Sequence, residues 1–171
     1  FPCEKCAPGM SNSGEGRTTE CESCPMGYYA TEEGQVFCNS CPGGFYGNEE
    51  ERTICKECIL GKKQSKLSQL SCTNCTVGKY QNEFAKAQCK ECSPGQFQDE
   101  NHTTACKKCV LNTYTEKTGQ IKCKACQVGL VTRNTAGAPV SGSNMCVSCL
   151  AGFFWKKNYI SVAKCESCPG G

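Results

Sequence analysis

The sequence predicts a small disulfide-rich fold, mostly irregular with short β-hairpins, made of tandem 17-residue modules that combine into 34-residue double units. Three observations predict it. Twenty of the 171 residues are cysteine, the composition of a disulfide scaffold. The cysteines form ten Cys-x-x-Cys pairs whose first members advance by 17 at every step from Cys21 to Cys123, and a fixed repeat constrains the fold before any local propensity does. Apolar residues other than cysteine are sparse and the mean hydropathy is −0.47. A 17-residue unit is also far below the roughly 40 residues under which chains usually need cross-links. Covalent staples must therefore replace a hydrophobic core.

The pairs in chain order are Cys3/Cys6, Cys21/Cys24, Cys38/Cys41, Cys55/Cys58, Cys72/Cys75, Cys89/Cys92, Cys106/Cys109, Cys123/Cys126, Cys146/Cys149 and Cys165/Cys168. The first interval is 18 and the last two are 23 and 19. Residues 1–126 thus form a regular tandem array, 127–145 an insertion read as a hinge or protruding loop, and 146–171 a last unit with an aromatic cluster. Three positions after the second cysteine stands Gly9, Gly27, Gly44, Gly61, Gly78, Gly95, Asn112, Gly129, Gly152 or Gly171. Asparagine is the non-glycine residue that best tolerates positive φ, so a tight turn with left-handed backbone is expected after every pair. Two residues further on the chain is usually aromatic, at Tyr29, Tyr46, Tyr80, Phe97, Tyr114 and Phe154, with Val131 as a substitute and Ser11 and Lys63 as exceptions. That step leads into Gln, Asn and Thr and then a polar turn, which reads as two short strands of a small hairpin.

An even cysteine count at regular spacing favours disulfides for all twenty cysteines. Closing a loop of about 15 residues is worth on the order of 3 kcal/mol in the chain-entropy model. Zinc is the competitor, because Cys-x-x-Cys spaced 13 or 14 residues from the next pair is close to zinc-ribbon spacing. Against it, five ions would be needed in 171 residues. The glycine column is also offset from the position a zinc knuckle uses. Asn101-His102-Thr103, moreover, is an N-glycosylation sequon in an expected turn, which fits a secreted chain. Asn74-Cys75-Thr76 also matches the sequon, but inside a tight cysteine pair. No cofactor and no metal are expected. For connectivity, the favoured pairing joins first cysteine to first and second to second within five double-bridged units, which places the long insertion between units. A running ladder, second cysteine of one pair to first of the next, stays open and would strand Cys3 and Cys168.

The pattern Cys-x-x-Cys-x-x-Gly-x-aromatic followed by another pair, as in "CPGGFYGNEEERTICKEC" at 41–58, resembles the ephrin-receptor-like cysteine-rich repeats of extracellular proteins. It is also similar to modules of the tumour necrosis factor receptor family and to growth-factor-receptor cysteine-rich regions. The resemblance spans essentially the whole chain and implies an elongated rod of disulfide-linked β-modules. At roughly 20 Å per double unit, one short strand length, such a rod is on the order of 100 Å long. Repeats of this kind occur in receptors, matrix proteins, surface antigens and flagellar-hair proteins alike.

Enzymatic chemistry finds no support in the residues. The single histidine, His102, lies within the sequon, no Ser/His/acid set is apparent, and every cysteine belongs to the repeat. "NEEE" at 48–51 lacks the alternating ligands and glycine of a calcium loop. No apolar stretch approaches the about 20 residues that cross a membrane, so this segment is not expected to insert. The chain is expected to be a processed chain or a window onto a longer array whose parent carries the secretion signal.

Charge is unevenly spread. Residues 1–51 hold two basic and nine acidic side chains, a net of −7, and residues 52–171 hold 17 basic and seven acidic, a net of +10. Such asymmetry suits head-to-tail contact between copies. Lys56, Lys90, Lys107 and Lys124 each follow the first cysteine of a pair, which equips equivalent positions to meet an acidic glycan. Phe153, Phe154, Trp155, Tyr159 and Ile160 crowd one module with apolar surface, the residue types that dominate interfaces. The sequence therefore points to a non-catalytic extracellular or cell-surface segment of coat, matrix or filament type, including flagellar-hair-like assemblies. Its expected partners are other extracellular proteins, copies of itself or acidic glycans, with no nucleic acid. The alternative is a ligand-binding ectodomain of a cell-surface receptor.

Overall fold

The computed structural model describes residues 4–13, 20–156 and 164–168. One module design recurs throughout. After the second cysteine of a pair the chain makes a turn closed by a backbone hydrogen bond, from Tyr28 N–H to Pro25 C=O (3.0 Å) and from Phe45 N–H to Pro42 C=O (3.1 Å). The third residue of the turn is the column glycine, with φ of +86° at Gly27 and +87° at Gly44, the geometry of a type II turn. A two-residue strand then leaves the turn. It pairs antiparallel with the two residues between the cysteines of the next pair, as Tyr28–Tyr29 with Asn39–Ser40 and Phe45–Tyr46 with Lys56–Glu57. Nine antiparallel two-stranded sheets form among the described residues. The chain is thus a disulfide-rich array of short β-modules, as its spacing predicts.

The bridges follow the running ladder: Cys6–Cys21, Cys24–Cys38, Cys41–Cys55, Cys58–Cys72, Cys75–Cys89, Cys92–Cys106, Cys109–Cys123, Cys126–Cys146 and Cys149–Cys165, with Cα–Cα distances of 5.6–5.8 Å. This corrects the favoured double-bridged pairing. The two residues between paired cysteines are an extended strand, on which positions i and i+3 face opposite ways. One pair therefore cannot present both sulfurs to the same neighbour, and each reaches to a different one. Cys168 has no bridge in this structure and is exposed. It is the second cysteine of its pair, the position that elsewhere in the ladder bonds to the first cysteine of the following pair. Cys3 lies outside the described residues.

Two compact units are present, one of residues 1–75 and 81–89 and one of residues 76–80 and 90–171. In the first unit each module is tied to the next through backbone groups. Gly27 N–H donates to Gly47 C=O (2.8 Å) and Gly44 N–H to Gln64 C=O (2.7 Å), while Ser68 N–H donates back to Cys41 C=O (3.0 Å) and Ala85 N–H to Cys58 C=O (2.9 Å). The turn glycines lie against loops two modules further on. A Cβ at Gly27 would meet the Ser68 carbonyl and one at Gly44 the Ala85 carbonyl, both at impossible distances. The second unit repeats this: Gly78 N–H donates to Gln98 C=O (2.7 Å) and Gly119 N–H to Cys92 C=O (2.8 Å), and Gly78 lies against the Gly119 carbonyl.

Residues 127–145 belong to the second unit. Arg133 bridges Pro139, Asn134 N–H donates to Ala138 C=O (2.9 Å), and Thr132 Oγ1 donates to Val140 C=O (2.7 Å). The extra residues are thereby taken up in a small side hairpin. Gly142 N–H then donates to Cys109 C=O (2.7 Å), the bond that Gly119 makes to Cys92 one module earlier.

In both units the interior is formed largely by sulfur and polar side chains. Cys24, Cys41, Cys58, Cys75, Cys92 and Cys109 are fully buried, and so, nearly, are Gln81, Gln98, Thr115 and Thr132. Each buried glutamine closes its own loop with both ends of its amide. Gln98 Nε2 donates to Ala105 C=O (2.7 Å) while its Oε1 accepts from Glu100 N–H (3.1 Å). Gln64 does the same with Ser71 and Lys66, and Gln81 with Gln88 and Glu83. Satisfying both groups is what makes burial of an amide tolerable.

Candidate functional site

The recurring surface feature is built by the strand pairs. Their register sets Lys56 opposite Tyr46, Lys90 opposite Tyr80, Lys107 opposite Phe97 and Lys124 opposite Tyr114. The four lysines do occupy equivalent module positions, each beside an aromatic residue across the strand pair. Two of them are engaged by acids of the adjoining loop. Glu49, from the polar loop of the same module, accepts from Lys56 Nζ (2.6 Å) and from Arg52 (2.9 Å). Lys107 Nζ donates to Asp99 (2.7 Å) and to Glu100 (2.8 Å). Lys90 also has a partner.

These clamps tune the groups they join. The hydrogen bond from Lys56 holds Glu49 below the usual carboxylate value. Asp99 is lowered mainly by its bond from Lys107, and Lys107 is raised in turn, first by Asp99 and then by Glu100. Within "NEEE", Glu49 is therefore occupied by two cations, and Glu51 accepts from Ser23 Oγ (2.9 Å).

The aromatic module forms a longer strand pair, Phe153–Lys156 with Lys164–Ser167. Phe153 and Phe154 are 46% and 39% exposed, an uncovered apolar edge. Trp155 is paired through its backbone with Cys165, and Tyr159 and Ile160 lie outside the described residues. Asn101 is exposed in its loop, where its Oδ1 accepts from Val77 N–H (3.0 Å). Thr103 Oγ1 donates to Lys79 C=O (3.4 Å), and the intervening His102 has φ of +59°. Among the described residues no group of three or more acidic, histidine or cysteine side chains is arranged to hold a metal ion.

Sequence reasoning overlooked two features. The glutamines of the polar core were read only as strand residues, although they recur three positions after the column glycine. A second left-handed column, Gly34, Glu51, Ser68, Ala85, His102 and Gly119, has φ between +54° and +72°. Only two of these six are glycine, which is why composition does not reveal it.

A family model described as tyrosine-protein kinase ephrin type A/B receptor-like matches residues 12–58, 61–109 and 95–141. Comparison with curated proteins gave no match.

Proposed function

We propose, since the chain belongs to the ephrin type A/B receptor-like family of cysteine-rich repeats, that it serves as a non-catalytic structural and interaction segment of a secreted or cell-surface protein, of coat, matrix or filament type. The observation that carries this reading is the interlocking of modules. Backbone donors and acceptors of one module are spent on the next, and the turn glycines are covered by loops two modules on. Within each compact unit successive modules are thereby held in a repeated arrangement, which suits mechanical spacing. Disulfide density and family both accord with an extracellular location.

Contact with copies of the same protein follows from the sequence charge, −7 over residues 1–51 against +10 over residues 52–171, and from the exposed Phe153 and Phe154. Sedimentation across a salt series tests it. Association that weakens with salt when exposed charges are screened beyond about 8 Å, and that falls in Phe153→Ser and in Glu49, Glu50 and Glu51 changed to glutamine, is expected. A chain monomeric at low salt and high concentration would leave a passive spacer. The second reading, a ligand-binding ectodomain, is favoured by one departure from regularity, in the Cys109–Cys123 loop.

A further inference from the structure

We propose that the loop closed by the Cys109–Cys123 bridge is a binding site for an oxyanion, the sulfate or carboxylate group of an acidic glycan. The site is defined by what this module lacks relative to its neighbours, and it stands whether or not the chain assembles.

Two replacements coincide here. In the three preceding modules Gln64, Gln81 and Gln98 fill the loop interior, bonding a backbone N–H two residues on and a carbonyl seven residues on. The corresponding residue is Thr115. Its shorter side chain turns the other way, accepting from Gly95 N–H (2.7 Å) and donating to Gln96 C=O (3.1 Å). The two groups that a glutamine would engage, Lys117 N–H and Lys122 C=O, make no hydrogen bond to protein among the described residues and, both residues being exposed, face solvent. A cavity of about 320 Å³ stands at this place, lined by Thr115, Glu116, Lys117, Gln120 and Lys124.

The second replacement reverses a charge. Eight residues after the buried second cysteine stand Glu32, Glu49, Glu83 and Glu100 in four other modules and Lys66 in a fifth, whose following strand begins with Thr73 rather than lysine; Glu49 and Glu100 clamp the lysine of the following strand. In this module the position is Lys117. Lys124 therefore has lysine where its equivalents have glutamate, and neither Lys117 nor Lys124 is in an ion pair among the described residues. Two lysines line one open cavity, beside a backbone donor that makes no bond to protein among the described residues. Glu116 is the single carboxylate there, so the three side chains leave one net positive charge.

The chemistry that satisfies all of this is an acceptor-only group of negative charge, taking Lys117 N–H and both ammoniums in charge-assisted bonds. Its carrier is larger than a lone ion, because about 320 Å³ is roughly ten water volumes at about 30 Å³ each. A sugar residue fits that volume, and its hydroxyls can donate to the Glu116 carboxylate that lines it.

The test uses the full oxidised chain and amide-resolved NMR titration with three probes: a sulfated tetrasaccharide, its unsulfated uronate counterpart, and inorganic sulfate. Either oligosaccharide is expected to shift the Lys117 amide most. Lys117→Glu restores the clamp and Thr115→Gln refills the cavity, and each should weaken binding tenfold or more. Lys107→Gln, at an occupied clamp, should change it less than twofold. Lys117→Glu is a surface change, so the outcome does not depend on whether Thr115→Gln folds. Absence of any shift at Lys117, or equal affinity in Lys117→Glu and the unaltered chain, would overturn the site. Inorganic sulfate binding as tightly as the oligosaccharides would overturn the glycan assignment.

Discussion

Alanine at Gly44 is the sharpest single-residue perturbation the structure offers. Left-handed backbone costs an alanine about 1–2 kcal/mol, and the new Cβ would also run into the Ala85 carbonyl two modules on. We expect Gly44→Ala to destabilise by about 3 kcal/mol or more, with lost hydrogen-exchange protection in the module holding Ala85 as well as its own. Gly119→Ala is the control. Its φ is +67°, but its nearest neighbour is the flexible Glu91 carboxylate at 3.6 Å, so only the backbone cost of about 1 kcal/mol is expected. Equal losses at the two sites would mean that the close approach carries no energy. Gln98→Met tests the polar core at nearly constant length. It strips the partners from Ala105 C=O and Glu100 N–H, and buried groups left unpaired cost about 1–3 kcal/mol each. Exchange at the Glu100 amide should quicken by at least tenfold.

At the scale of elements, the module was legible and the wiring between modules was not. The column glycines and the strand stubs follow from spacing and from the positive φ that Asn112 also tolerates. The alternation that fixes the ladder is equally a sequence property, because two residues separate the cysteines of every pair. It becomes decisive only once those two residues are known to be extended. The left-handed column has no such signature: at Glu51, Ser68 and Ala85 the hydrogen bonds to Cys24, Cys41 and Cys58 of the preceding module hold it there against propensity. Lys117, the residue that breaks the clamp pattern, was passed over because the lysine column was read without the acids facing it.

Two predictions belong at this scale. Asp99 and Glu49 have folded values lowered by their lysines, so the clamps stabilise above the ordinary carboxylate value and lose that contribution as pH falls through the lowered folded one. Lys107 is raised, so its share is present below its ordinary value and fades as pH climbs through the raised one. Carboxyl-detected NMR should place the Asp99 and Glu49 midpoints below the ordinary carboxylate value, and Lys107→Gln should return Asp99 towards it. Asn101 is exposed, and its amide oxygen is already bonded to Val77, leaving Nδ2 for modification. Protein from a eukaryotic secretory host should carry a glycan there and none at Asn74, which adjoins the fully buried Cys75. Peptide mass mapping that finds Asn101 bare would remove the glycoprotein assignment.

For the molecule as a whole, the account rests on a ladder in which each cysteine pair joins one neighbour behind it and another ahead. Every interior pair is then bridged to two others, and no subset of two pairs closes on itself. Covalent linkage thus runs from pair to pair among the described residues, while within each unit hydrogen bonds and the glycine contacts lock successive modules. Six of the nine bridges close separations of 14 residues, each worth on the order of 3 kcal/mol in the chain-entropy model, so reduction should unfold the chain cooperatively within neighbouring modules. Non-reducing digestion with disulfide mapping by mass spectrometry tests the ladder most directly. Cleavage on both sides of Cys55 and Cys58 should release that pair joined to two different peptides, Cys55 to the one containing Cys41 and Cys58 to the one containing Cys72. Recovery of Cys38–Cys55 and Cys41–Cys58 together, with no link from Cys58 to Cys72, would contradict it.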